Sequence, residues 1–322
     1  MRAIVVRGTG GPEVLEPAEL PDPQPGAGQL LVDVTAAGVN FMDIYQRQGN
    51  PPYAPELPYV PGVEGAGTVA AVGPGVSGFA AGDRVAWTGV PGSYAEQAVL
   101  PADSALLVPE GIGLQVAGAV LLQGMTAHYL SNDTFPVGDG DPVVVHAAAG
   151  GVGLLLTQMI KMRGGIVIAT TSTAAKAVLA QQAGADHLAG YGDFAAVTRQ
   201  LTDGAGAAAV YDGVGQATFD SSLAALRPRG CMVLYGAASG PVPPFELQRL
   251  AAGGSLFITR PTLGSYLASR GELLARAGDL FGWIAQGRLS VRTGGSYPLA
   301  EAAHAHQDLA SRGTTGKLIL LP

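Results

Sequence analysis

Residues 141–153, DPVVVHAAAGGVG, constrain this chain more than any other stretch. Val143, Val144 and Val145 form a β-branched run of the kind that buried parallel strands use. A turn of small residues follows, Ala148-Ala149-Gly150-Gly151-Val152-Gly153, and then the apolar run 154–162, which reads as helix. Strand, glycine-rich turn and helix in that order are the context in which a G-x-G-x-x-G pattern signals a dinucleotide site. Here the first position is Ala148, so the pattern is A-x-G-x-x-G. The remaining glycines still serve: Gly150 would let the backbone approach a pyrophosphate, and Gly153 would let the helix pack close to its strand. First-turn N–H groups have no partner within a helix, and together with the helix dipole they favour an anion. The competing reading is a tight turn that binds nothing. Its context favours the dinucleotide.

The alternation continues beyond this unit. Strands are expected at 143–147, 166–170, 208–211, 232–236 and 255–259 with helical runs between them, which means a parallel sheet covered by helices on both faces. Residues 1–110 read instead as β-rich, with strands expected at 3–7, 30–36, 67–72 and 84–87 between Pro and Gly clusters. Short strands with frequent turns suit a small barrel or sandwich. Helix is expected over 114–130, 271–286 and 299–311, and a closing strand over 317–321. The fold class is therefore α/β: a doubly wound Rossmann sheet inserted into a β-rich domain. The expected boundaries are 1–122 for the β-rich domain, 123–260 for the dinucleotide domain, and 261–322 for the tail returning to the first.

Composition excludes several classes. Hydrophobic residues make up 48% and charged residues 13%, as in a globular protein. The net charge of −7, with no basic cluster, argues against nucleic acid as the main partner. The single cysteine, Cys231, forbids an intrachain disulfide or a Cys-rich zinc site, and reads as a small apolar filler. No apolar run is long enough to span a membrane, and MRAIVV enters strand-like sequence without a signal peptide, so a cytoplasmic protein is expected. Fifteen arginines stand against three lysines, Lys161, Lys176 and Lys317, which suggests that lysine is kept where a compact ammonium is wanted. None of the five histidines reads as a metal ligand. His146 is expected at a strand end or in the core, and His304 and His306 are two apart on a helix and do not face each other.

Several stretches together resemble the medium-chain dehydrogenase/reductase superfamily, and in particular its zinc-free, zeta-crystallin-like quinone oxidoreductase branch. They are AAGVNFMDIY (36–45), GVEGAGTVAAVGPGV (62–76), GDRV (82–85), AAAGGVG with Gln158 and Lys161, YDGVG (211–215), TRPTL (259–263) and TTGKLIL (314–320). The resemblance spans essentially the whole chain. It implies a GroES-like catalytic domain, a Rossmann cofactor domain and a homodimer. The strand at 255–259 would end the parallel sheet, and its open edge is the expected dimer contact.

The departures from zinc-dependent relatives carry chemistry. Where those relatives place a Cys, a His and a further Cys as zinc ligands, this chain has Asn40, Val63 and Gln123. A tetrahedral zinc needs several thiolate, imidazole or carboxylate ligands together, so no metal is expected. Without a Lewis acid to polarise an alcohol, reduction of an already electron-poor acceptor is the natural chemistry.

A site for NAD usually carries Asp or Glu about 20 residues beyond the glycines, at the end of the second strand. Here that place reads Thr170-Thr171-Ser172-Thr173 without a carboxylate, and Lys176 follows. The missing acid and the present base favour NADPH, and the resemblance implies that Lys176 and Tyr191 hold its 2′-phosphate. The wider cofactor-contacting set that it implies comprises Phe41, Asp43, Thr126, Tyr129, Ala149, Gly150, Gly151, Val152, Gly153, Thr171, Ser172, Val214, Tyr235, Gly236, Ala237, Ala238, Arg260, Thr262, Leu263, Arg312 and Lys317. Asp43 reads equally well as a structural hydrogen-bond partner, and Arg260 and Lys317 equally well as ordinary surface cations. The expected catalytic residues are Asn40, Tyr45 and Tyr53, whose donors could steady an oxyanion on a reduced carbonyl. The expectation is an NADPH-dependent quinone oxidoreductase. The alternatives are a reductase of α,β-unsaturated carbonyls, or an NADPH-binding structural or redox-sensing protein with little turnover.

Overall fold

The computed structural model describes residues 1–322. In chain order its strands are β1 (Arg2–Val5), β2 (Glu16–Glu19), β3 (Gln29–Val39), β4 (Glu64–Val72), β5 (Arg84–Thr88), β6 (Gln97–Pro101), β7 (Leu106–Leu107), β8 (Pro142–Val145), β9 (Ile166–Thr170), β10 (His187–Ala189), β11 (Ala207–Asp212), β12 (Leu226–Leu234), β13 (Phe257–Thr259), β14 (Thr293–Pro298) and β15 (Lys317–Leu321). The helices are α1 (Phe41–Arg47), α2 (Leu114–Tyr129), α3 (Gly151–Met162), α4 (Ala174–Gln182), α5 (Phe194–Leu201), α6 (Phe219–Ala225), α7 (Gln248–Ala252), α8 (Arg270–Ala285) and α9 (Ala302–Ala310). The chain divides into two compact units, one of residues 1–123 with 267–322 and one of residues 124–266.

The second unit holds a six-stranded sheet in the order β10-β9-β8-β11-β12-β13. Every pairing in it is parallel. Its central strands are closed off on both faces, from Val143–Val145 to Val167–Ala169 and Ala207–Tyr211, which is why they read as unbroken apolar runs. The chain leaves β8 for β9 on one side and reaches β11 on the other, so the strand order reverses beside β8. In open α/β sheets the crevice outside the carboxyl ends at such a reversal is where ligands bind.

The first unit is built on a seven-stranded sheet ordered β14-β15-β3-β4-β5-β7, with β6 also paired to β3, and a separate hairpin β1-β2. Leu30, Val32, Val69, Val85, Trp87 and Leu100 form one apolar core of this unit. Ile4, Val6, Val39, Tyr94, Leu318 and Leu320 belong to another. Register matters more than composition here. Leu318 lies opposite Val39 and Ala37 opposite Gly65, so Lys317 faces Asn40 and Glu64 faces Gly38. Gly38 and Asn40 share a strand face because side chains alternate, and the three polar residues therefore converge.

Several expected boundaries move. The strand expected to reach residue 147 ends at Val145, because Ala147 turns to φ +49°. The strand expected at 255–259 begins only at Phe257, after Ser255 at φ +58°. β2, β6, β10 and β14 carry too little apolar alternation to be visible in advance, β14 being TGGSYP.

Candidate functional site

The turn after β8 has the geometry of an anion cradle. Gly150 caps α3 with extended backbone (φ −78°, ψ 174°), and the helix then runs twelve residues. A Cβ at Gly153 would sit 2.4 Å from the Ala147 carbonyl oxygen and 2.7 Å from Ala148 Cα, so only glycine allows the helix this close to its own turn. The left-handed residue is Ala147, one place before the motif, which explains why Ala148 can replace the usual first glycine. Tyr191 meets the same turn, its hydroxyl accepting the Ala147 N–H at 3.1 Å. Ala149 is buried, while Gly150, Gly151 and Val152 reach the surface.

Beyond the end of β9, Thr171 and Ser172 lead into α4, whose first turn is capped by Thr173. Lys176 Nζ lies 3.4 Å from Ser172 Oγ, and no carboxylate occupies residues 170–176. This cationic, hydroxyl-rich corner suits a phosphate and would not hold a ribose diol in the manner of an acid. Val214 follows β11, and Tyr235, Gly236, Ala237 and Ala238 follow β12. Arg260, Thr262 and Leu263 follow β13, with Thr262 Oγ1 3.1 Å from Ser265 Oγ. Because the sheet is parallel, all of these leave the same carboxyl edge. Thr126 and Tyr129 are buried on the final turn of α2, and the Tyr129 ring lies flat on Tyr266 at 4.1 Å and 4°.

In the first unit the polar residues are wired together more tightly than expected. Lys317 Nζ donates to Asn40 Oδ1 at 2.6 Å and to Glu64 Oε2 at 2.5 Å. Asn40 Nδ2 donates to Glu64 Oε2 at 3.1 Å and to the Gly38 carbonyl at 3.2 Å. Both amide hydrogens of Asn40 are thus committed within the fold. The expected oxyanion donor is instead a buried strut at the β3–α1 corner. Glu64 Oε1 accepts the Leu122 N–H at 2.8 Å, so one carboxylate ties β4 to β3, β15 and α2. A Cβ on Gly38 would stand 2.4 Å from Glu64 Oε2 and 2.8 Å from Lys317 Cε, so glycine makes room for this pair.

Lys317 is not a surface cation: its side chain is 3% exposed. Asp43, carried in the cofactor set, turns wholly inward. Its Oδ2 accepts the Asn40 N–H at 2.8 Å and the Tyr94 hydroxyl at 3.0 Å, so its side chain acts inside the unit. Burial pushes the Asp43 carboxyl up to about 7, against lowering by the Asn40 N–H and Lys317. Tyr94 also meets His306 Nε2 at 3.0 Å, and burial beside Arg47 pulls that imidazole down to about 3. Gln123 donates to the Ala119 carbonyl, and no group of three His, Cys, Asp or Glu residues anywhere could hold a metal. Arg312 is exposed just beyond α9 at φ +59°.

What this unit presents outward is aromatic. Tyr45 and Tyr53 stack at 5.9 Å and 27°, and Phe41 lies 6.4 Å from Tyr45, all three half-buried. The roles of Glu64, Tyr94 and His306 are not legible in the sequence, because their partners are far away in the chain. Only a carboxylate directly beside the would-be ligand Val63 hinted at Glu64.

Comparison with known proteins agrees with this geometry. The alcohol dehydrogenase GroES-like domain model matches residues 26–110 and the zinc-binding dehydrogenase model matches residues 151–274. A quinone oxidoreductase of Pseudomonas aeruginosa is 45% identical over 97% of each chain. A 2-haloacrylate reductase of Burkholderia is 41% identical over 99% of this chain and 98% of its own. The structure of Escherichia coli quinone oxidoreductase complexed with NADPH superimposes with a TM-score of 0.97 at 38% identity, covering all of both chains. With the glycine turn, the parallel sheet and the GroES-like strands all in place, the chain belongs to the quinone oxidoreductase branch of the medium-chain dehydrogenase/reductase superfamily.

Proposed function

We propose that this protein is an NADPH-dependent quinone reductase that works without a metal. The observation that carries the reading is the corner after β9. An acid there would hold the diol of NAD and repel a 2′-phosphate, and the chain instead offers Ser172 and Lys176. The α3 N-terminus and the glycines at 150 and 153 fit the pyrophosphate. Tyr191, Thr171, Val214, residues 235–238, Arg260, Thr262 and Leu263 would supply the remaining contacts from the same sheet edge. NADPH, when bound, supplies the hydride, and the chain supplies binding and orientation. The half-buried ladder Phe41–Tyr45–Tyr53 offers planar faces to a flat conjugated acceptor, and the two phenols are its donors. Asn40 holds the corner that carries α1, with its hydrogens already used.

The 41% identity to a 2-haloacrylate reductase favours a second reading, reduction of a C=C bond conjugated to a carbonyl. Both need a hydride donor over an electron-poor π-system. Steady-state oxidation of NADPH with a panel of quinones and enones, in the presence of chelator, separates them. Turnover with quinones is expected. Turnover with enones alone would replace the first reading by the second, and tight NADPH binding without turnover would point to a sensing role. A homodimer paired through β13 and a cytoplasmic location complete the proposal. β13 is the open edge of its sheet, and Phe257 on it is 62% exposed.

A further inference from the structure

At the ends of β8, β9 and β11 and on α6, four buried polar side chains make a line of hydrogen bonds whose direction follows from counting protons. Asp212 Oδ1 accepts the N–H groups of Val214 at 2.7 Å and Gly215 at 2.9 Å. Its Oδ2 accepts the hydroxyls of Thr218 at 2.6 Å and Ser222 at 3.0 Å. Ser222 has one hydroxyl proton, and Asp212 takes it. The 2.9 Å contact between Ser222 Oγ and His146 Nε2 is therefore one in which the ring donates. A proton on Nε2 leaves Nδ1 as the acceptor, and it receives the Thr170 hydroxyl at 2.8 Å. The line runs Thr170 to His146 to Ser222 to Asp212 and ends on the carboxylate. All four residues are closed to solvent. Burial lowers the His146 imidazole to about 4 even though Asp212 Oδ2 lies 3.9 Å away, so the ring is the neutral link this pattern needs.

Three of these residues stand directly before loops that the proposed function assigns to the cofactor. His146 precedes Ala147 and the glycine turn, Thr170 precedes Thr171 and Ser172, and Asp212 precedes Gly213, Val214 and Gly215. Backbone bonds add to the link: the His146 N–H reaches the Tyr211 carbonyl at 3.1 Å and the Ala148 N–H reaches the Thr170 carbonyl at 3.2 Å. A buried polar line of this kind has few alternative arrangements, because any break strands a desolvated group. We propose that Thr170, His146, Ser222 and Asp212 are positioning residues for NADPH, a single directed line that sets the spacing of the three cofactor loops. None of them needs to touch the cofactor. This inference rests on the NADPH reading and goes beyond it in saying what holds the loops in register.

The test is equilibrium titration with NADPH, without acceptor, followed by nicotinamide fluorescence and paired with a thermal melt of each ligand-free variant. Thr170→Val keeps shape and removes only the first donor. His146→Phe breaks the line at its middle. His146→Gln restores both roles, since its amide nitrogen can donate to Ser222 while its oxygen accepts from Thr170. Thr170→Val, which loses one ordinary hydrogen bond, is expected to raise the NADPH Kd about three- to tenfold, and His146→Phe, which loses two, at least as much. His146→Gln is expected to stay within about twofold of the wild type. If His146→Phe does not fold, Thr170→Val carries the same test. A lowered melting temperature with unchanged Kd in Thr170→Val would make the line merely structural and overturn the proposal, as would a His146→Gln variant that binds as weakly as a broken line. A wild-type protein that binds no NADPH would overturn the cofactor reading and this inference together. Wild-type binding with unchanged variants would overturn only this inference.

Discussion

Lys317 and Glu64, 253 residues apart in the chain, form an ion pair of 2.5 Å with almost no solvent access. The register of β15 on β3 and of β3 on β4 brings them over the bare α-carbon of Gly38. An ammonium so placed also sets the Asn40 amide, which can then offer its hydrogens only to Glu64 and Gly38. Breaking one half of a buried pair leaves an uncompensated charge, which costs far more than the pair itself contributes. Lys317→Met is expected to lose about 3–5 kcal/mol in urea denaturation. Lys317→Met/Glu64→Gln should recover much of that loss. Equal stabilities for the single and double variants would show that the pair is not isolated from water.

Asp43 imposes a pH dependence whose sign can be worked out. Its carboxyl ionises near 3.8 when unfolded and at about 7 when folded, so between these values the native state holds a proton that the unfolded chain has released. Its contribution to stability therefore falls as pH rises through that window. His306 and His146, lowered to about 3 and about 4 from 6.5, act in the opposite sense, losing stability as pH falls below 6.5. Asp43→Asn mimics the protonated acid. Relative to the wild type it is expected to gain on the order of 2 kcal/mol between pH 5 and 8. Denaturation curves at several pH values check this, and a constant difference would place the carboxyl's titration elsewhere.

Lys176 should decide between the two nicotinamide cofactors. A hydrogen-bonded ammonium on a doubly charged phosphate, in a partly exposed place, contributes on the order of 1.5–3 kcal/mol. Lys176→Ala is expected to weaken NADPH binding by roughly ten- to a hundredfold and to leave NADH nearly unchanged. Salt should erode the wild-type preference in the same direction. Tyr191→Phe should cost less, because a neutral phenol, whose oxygen accepts the Ala147 N–H while its proton stays free to donate, makes a weaker hydrogen bond to a phosphate than an ammonium does. Equal losses for both cofactors in Lys176→Ala would move the residue's role to the fold or the pyrophosphate.

The proposed dimer is tested at Phe257. A large apolar side chain 62% exposed on an open edge strand invites pairing with its symmetry mate. Phe257→Asp is expected to shift the protein from dimer to monomer in light scattering at micromolar concentration. A monomeric wild type would remove β13 as an interface.

Much of this was legible in the sequence because it is local or periodic. A β-branched run, small-residue turn and apolar helix define a βα unit within twenty-two consecutive residues, 141–162, and the strand–helix alternation behind it leaves a parallel sheet as the packing solution. The substitutions Asn40, Val63 and Gln123 and the missing acid after β9 are likewise read from single positions. The partners of those positions were decided by tertiary structure. Whether Asn40 has hydrogens to give depends on Lys317 and Glu64, and whether Asp43 faces a ligand or Tyr94 depends on how α1 packs. His146 becomes the middle of a directed line only when parallel pairing sets Thr170 and Asp212 beside it. A residue's type states what bonds it can make. Which bonds it does make inside a protein is settled by register and burial, since once water is excluded a donor can find an acceptor only among whatever distant segments the fold has brought near.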